Sequence, residues 1–142
     1  MTSAPSSSSA KKSSPPTALS PHLQIWKFTV TMAASITHRA CGGALYGGTL
    51  ILAIWLFATA KHPPLYGIIS DLLASPLGLI FLAFYSWALM FHMFNGVRHL
   101  FWDAGHGFDL PTARRTAMGA YIFATIMMII IMVLGLKSAG IL

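Results

Sequence analysis

Charge is what this sequence has least of. Only 8% of its 142 residues are Asp, Glu, Lys or Arg, against about 25% in an ordinary soluble domain. Acids are scarcest, three against nine Lys and Arg. With 56% hydrophobic residues and a mean hydropathy of +0.69, too little polar surface remains to cover a water-soluble particle. Lipid must therefore solvate much of the chain. Cysteine is nearly absent as well: Cys41 stands alone. This excludes an internal disulfide, a thiolate metal site and a four-ligand iron–sulfur cluster. Cys41 reads as a small packing residue among the glycines of an apolar segment. No Gly-rich nucleotide-binding turn follows a strand. Residues 1–20 hold no arginine and few large apolar side chains. That composition suits neither a secretory signal nor a mitochondrial transit peptide, and predicts a disordered Ser/Pro-rich tail.

What is present in quantity is uninterrupted apolar sequence. Three windows are free of Asp, Glu, Lys and Arg: 21 residues between Arg39 and Lys61, 26 between Asp71 and Arg98, and 21 between Arg115 and Lys137. A helix needs roughly 20 apolar residues to cross the hydrocarbon core. The fold class that follows is an all-α membrane protein, with residues 21–142 forming a three-helix transmembrane anchor. The helices are expected at about 28–60, 76–102 and 113–138. Lys61-His62-Pro63-Pro64 breaks the first and Gly105 to Pro111 closes the second. The net charge of +6 would suggest nucleic acid in a soluble protein, but here the cations flank apolar helices, and no nucleic-acid role is expected. Lys11, Lys12, Lys27, Arg39, Arg98, Arg114 and Arg115 fall at one face, and only Lys61 and Lys137 at the other. The positive-inside rule then places the N-terminus in the cytoplasm and the C-terminus on the opposite side. The expected site is a bacterial inner membrane rather than a mitochondrial one. The last helix, with no Asp, Glu, Lys, Arg or His from Met118 to Leu136, reads as a packing and lipid-facing element without chemistry.

Ionisable residues inside membrane helices are costly and need a reason. His92 lies six positions before Arg98, ~9 Å deeper at ~1.5 Å per residue. His92, Asn95, Gly96, His99 and Asp103 share one helix face. Histidine nitrogen is a common ligand of haem iron, and glycine lets a flat ring or a second backbone approach. A histidine hydrogen-bonded to a neighbouring helix satisfies the same pattern. On the first helix, Ser35, Arg39, Gly42 and Tyr46 form a second polar stripe with His38 beside it, and Gly43 and Gly47 form a GxxxG pair suited to close helix contact. Arg39 either snorkels to fix topology or meets an anion such as a haem propionate through paired hydrogen bonds.

Two blocks carry a family resemblance. Ser20-Pro21-His22-Leu23-Gln24-Ile25-Trp26-Lys27, continued by Ser35-Ile36-Thr37-His38-Arg39 and Gly42, resembles the N-terminal signature of succinate dehydrogenase cytochrome b subunits, with Trp26 where tyrosine is frequent. His92-Met93-Phe94-Asn95-Gly96-Val97-Arg98-His99-Leu100-Phe101-Trp102-Asp103 resembles that family's second signature, H-x-x-x-G-x-R-H-L-x-x-D. The resemblance implies an electron-transfer subunit that binds haem b and serves quinone as electron acceptor. It implies His92 as axial ligand of the haem iron, His38, Arg39 and His99 toward the haem propionates, and Ser35 and Arg39 at the quinone. Succinate oxidation would belong to a flavoprotein subunit and an iron–sulfur subunit. A second membrane-anchor subunit would give the other haem ligand, since no other histidine is expected in mid-helix. A fumarate reductase anchor shares this architecture, and a haem-free membrane scaffold is the reading of a different class.

Overall fold

Residues 26–141 are described by a computed structural model; the expectation for residues 1–20 lies outside them. Four helices account for almost all of this segment: α1 (Val30–Lys61), α2 (Pro63–Ala74), α3 (Pro76–Asp103) and α4 (Leu110–Ser138). α1, α3 and α4 are long and apolar enough to cross a membrane. At ~1.5 Å per residue they measure ~48, ~42 and ~44 Å, each more than the ~30 Å hydrocarbon core.

The three expected helices of spanning length are present, and a fourth, α2, which was not expected, lies between the first two. Pro63-Pro64 does end α1, but it also begins α2. His62 closes α1 through its backbone N–H to the Ala58 carbonyl, and its Nδ1 accepts from Leu65 N at 3.2 Å. Proline in the first turn costs nothing, because those N–H groups have no helical partner. One residue thus ends one helix and caps the next. α2 buries no residue completely and lies against both α1 and α3.

The return into α3 is built the same way. Ser75 Oγ accepts from Gly78 N and donates to the Leu72 carbonyl, with Pro76 in the first turn. Any Cβ at position 78 would collide with the carbonyls of Leu72 and Leu73, so glycine is required where α3 leaves α2. After α3, Gly105 (φ 81°) and Gly107 (φ 79°) take left-handed conformations, and Trp102 Nε1 donates to the Gly107 carbonyl.

α4 starts at Leu110, three residues before the expected position. Asp109 supplies the N-cap and Pro111 the first turn, a start signal that reads as a stop when only the proline is counted. Asp109 Oδ2 accepts from Thr112 N at 3.0 Å. Hydrogen bonds from Thr112, and last the charge of Arg115, hold this carboxyl below its ordinary value. A depressed folded-state value means that the cap stabilises α4 above the unfolded carboxyl value and is lost as pH falls through the folded one. The protection of the Thr112 amide, its exchange measured against the intrinsic rate at each pH, should fall on acidification through that range, and Asp109→Asn, which keeps an acceptor, should remove the dependence. Wild-type protection at Thr112 indifferent to pH would show that the carboxylate does not cap.

The helices meet through small residues. Ala34, Cys41, Ala88, Phe91, Ala117, Ala120 and Ala124 form the buried core, where alanines let backbones approach closely. Cys41 is thus the packing residue expected. Phe91 and Asn95 are the largest side chains buried completely. Tyr121 packs on Phe91 at 4.6 Å between centroids, and its hydroxyl hydrogen-bonds Thr37 of α1 at 2.9 Å. α4 therefore brings polar contacts as well as apolar bulk. On the outside, Leu50, Phe84, Leu100, Ile122 and Leu134 are all more than half exposed, as lipid-facing side chains are.

Candidate functional site

Thr37 and His38 are adjacent on α1 and so ~100° apart around it. Thr37 reaches α4, and His38 is thereby aimed at α3. There its ring stacks on His92, with centroids 4.1 Å apart and planes 11° from parallel. His99, two turns along α3, tilts against the same ring at 5.3 Å. Three half-buried imidazoles thus gather in the groove between α1 and α3.

Gly42 sets the approach of the two helices. A Cβ there would lie 3.3 Å from His92 Nε2, so any larger residue would cover the nitrogen that glycine leaves open. The other expected glycine contacts are not made among the described residues. Nothing lies within 4 Å of a Cβ at Gly43, Gly47 or Gly96. Gly47 instead fronts a cavity of about 610 Å³, and the close contact falls one residue on, where a Cβ at Gly48 would collide with the Tyr85 ring. The GxxxG pair of α1 therefore does not join α1 to the other helices described.

The remaining expected residues divide. Arg39 is exposed, and its Nη2 donates to Ser35 Oγ at 3.3 Å, one helical turn away. The two sit on a shared face of α1, but neither touches the imidazoles. Tyr46, the lower end of that stripe, is 76% exposed. Asp103 is also exposed. His38 lies within α1, the helix expected for it. Its Nδ1 is buried and has no hydrogen-bond partner among the described residues.

Behind His99 stands a network that sequence reasoning missed. Arg98, counted there as a headgroup-level topology residue, is buried (6% exposed) and faces α4. Its Nε donates to Thr116 Oγ1, Nη1 to Asn95 Oδ1 and Nη2 to the Ala113 carbonyl, at 3.1–3.3 Å. Its guanidinium also lies 3.9 Å over the Trp102 ring. Because Oδ1 of Asn95 takes the guanidinium, its Nδ2 faces His99 Nε2 at 3.3 Å. An amide nitrogen only donates, so His99 accepts on Nε2 and keeps its proton on Nδ1. The i, i+3 spacing of Asn95 and Arg98 was the available signal.

Among the described residues no cluster of three or more His, Cys, Asp or Glu is arranged to hold a metal ion. The groove can instead present single nitrogens to a ligand that brings its own metal or its own carboxylates.

Comparison with known proteins places the chain in a family. The sequence model of the succinate dehydrogenase/fumarate reductase transmembrane subunit matches residues 13–133. The succinate dehydrogenase cytochrome b556 subunit of Paracoccus denitrificans is 34% identical over 119 residues, 81% of this chain and 92% of its own. That of Rickettsia felis is 37% identical over 97 residues, 68% and 75% of the two chains. The mitochondrial succinate dehydrogenase cytochrome b560 subunit of Mus musculus is 33% identical over 110 residues, 76% and 65%. With three apolar helices of spanning length and a match across nearly all of them, the chain is a membrane protein that belongs to the succinate dehydrogenase/fumarate reductase transmembrane subunit family.

Proposed function

We propose that this chain is the haem b-carrying anchor of a succinate:quinone oxidoreductase, with His92 as an axial ligand of the haem iron. The observation that carries the reading is the α1–α3 groove: an imidazole whose Nε2 is left open by Gly42, beside a second imidazole with a buried and unpartnered Nδ1. An unsatisfied buried nitrogen costs about 1–3 kcal/mol, and a haem propionate at His38 would remove that cost. The residues therefore fit the group. The His38–His92 stack does not supply both axial ligands. The two rings lie face to face with centroids 4.1 Å apart, so no group could be held between them, and His92 alone would hold the iron from this chain. The opposing ligand falls to a second membrane-anchor subunit.

Haem bound there would supply one-electron chemistry. The chain's own residues then divide the remaining work. His38 stacks against His92 and holds its ring plane. His99, fixed by Asn95 with its proton on Nδ1, is a donor toward propionate oxygen. Arg39 offers the planar fork that grips carboxylate and borders the quinone, and Ser35 gives the quinone a hydroxyl. A flavoprotein subunit and an iron–sulfur subunit oxidise succinate and deliver electrons. In this reading the N-terminus and the α3–α4 turn lie on the cytoplasmic side of a bacterial inner membrane, as the cation distribution favours. The relatives' names support succinate oxidation over a fumarate reductase role, and their designation as cytochromes b speaks against a haem-free scaffold.

Ser35→Ala tests the quinone assignment. It removes a hydroxyl with little change of volume, so insertion and haem content should persist. Losing one hydrogen bond of about 0.5–1.5 kcal/mol should weaken quinone several-fold in a titration. Succinate oxidation by a soluble dye that takes electrons upstream should be unaffected. A quinone titration identical to wild type would remove Ser35 from the pocket.

A further inference from the structure

A cavity of about 630 Å³ lies between α3 and α4, on the side of α3 away from the imidazoles. Two of its lining residues, Val97 and Phe101, sit roughly 140–180° around the helix from His92 and His99. Its polar end is formed by Arg98, Arg115 and His106, at the turn that joins the two spanning helices. Among the described residues no carboxylate lines it. Of the two acids nearby, Asp109 is engaged by Thr112 N, and Asp103 is exposed outside the lining. Arg98 is buried on three neutral acceptors, so its charge is hydrogen-bonded but not neutralised, which is costly in a medium of low dielectric. Away from this end the walls are apolar, with Phe94, Phe101 and Phe123 along the groove, and Phe101 (62%) and Phe123 (55%) are open to the surroundings.

A cationic mouth at headgroup level over an aromatic channel along two spanning helices matches an amphiphile with an anionic head. We propose that this groove holds one anionic phospholipid of the leaflet that meets the Gly105–Asp109 turn. Its headgroup lies against Arg115 and His106, within the field of Arg98, and an acyl chain follows Phe94, Phe101 and Phe123. A zwitterionic lipid would bring its own cation into a site already carrying two guanidinium groups, and is disfavoured. This site is separate from the haem and quinone groove and does not depend on how that groove is read.

The test uses the native membrane assembly containing this chain, delipidated in mild detergent. The assembly is re-exposed to phosphatidylglycerol or phosphatidylcholine and weighed intact by native mass spectrometry. Wild type should retain one phosphatidylglycerol in preference to phosphatidylcholine. Arg115→Gln should lower its occupancy about fivefold, the effect of one cation near a charged lipid surface. Gly119→Leu, which fills the groove from a position where a Cβ meets only the Phe123 ring at ordinary contact distance, should abolish retention while the assembly stays intact. Equal retention of the two lipids, or full retention by both variants, would overturn the proposal. So would a benzophenone amino acid at Val97 that crosslinks to another subunit instead of to lipid.

Discussion

Replacing His92 by leucine should remove this chain's ligand to the haem iron while leaving the chain in the membrane. Leucine suits helix and lipid alike, and position 92 is only half buried, so α3 should insert normally. What disappears is the single α3 nitrogen that faces Gly42 across the groove. The assembled complex should contain either no haem or haem with one protein ligand, and so a high-spin signal in electron paramagnetic resonance where wild type is low-spin. His38→Leu should behave differently. It removes the stacked ring and the unpartnered Nδ1 but not the ligand, so haem should remain low-spin and bind less tightly. If His92→Leu kept a normal low-spin haem while His38→Leu lost it, the two histidines would have to exchange roles.

The second large effect concerns the network behind His99. Asn95→Ala should destabilise the assembled protein by about 3 kcal/mol. It removes the acceptor of a charged donor, worth about 1.5–3 kcal/mol, and leaves His99 Nε2 unsatisfied as well. Interhelical hydrogen bonds between neutral groups in membranes average only ~0.6 kcal/mol. The formal charge on Arg98, buried to 6% exposure, raises the expected cost. Arg98→Met keeps the aliphatic stem and removes the charge together with its demand for acceptors, so it should cost less, about 1–2 kcal/mol. In the double variant, losing Asn95 should matter little, because no guanidinium is left to satisfy. The two effects should therefore fall short of additivity by at least about 1 kcal/mol. Denaturant unfolding in mixed micelles measures all three. Strict additivity would mean that Arg98 and Asn95 do not act on each other.

Much of this architecture was legible in the sequence because lipid imposes one-dimensional rules. An apolar window of sufficient length must become a helix, since backbone polar groups have no other partner in hydrocarbon, and the start of α3 at Pro76 could be read directly. α2 was not legible in the same way. It is too short to span, and its start coincides with Pro63-Pro64, which marks the end of α1 equally well. Only the caps resolve the ambiguity: His62 Nδ1 on Leu65 N, and Asp109 on Thr112 N at the head of α4.

For the site, spacing placed His92, Asn95 and His99 on one face, and the structure joins Asn95 to His99. Spacing along one helix does not say which neighbour a side chain meets. Arg98 looks like an interfacial cation in sequence, yet it turns inward because Thr116 and the Ala113 carbonyl of α4 wait for it. The Gly43–Gly47 pair has the pattern of a helix contact but lies one residue away from the contact within this chain, at Gly48. That offset leaves the pair facing outward. Tyr121 was hidden in a stretch with no charged side chain, where its hydroxyl nonetheless ties α4 to Thr37.

The claim on which the account turns is that haem occupies the α1–α3 groove. The measurement that bears on it most directly is the dithionite-reduced minus oxidised difference spectrum of the intact complex, purified through a tag on this chain. The account predicts a b-type cytochrome spectrum at one haem per chain, lost or shifted to a five-coordinate form in His92→Leu. An intact complex that oxidises succinate and reduces quinone with no haem band would contradict it.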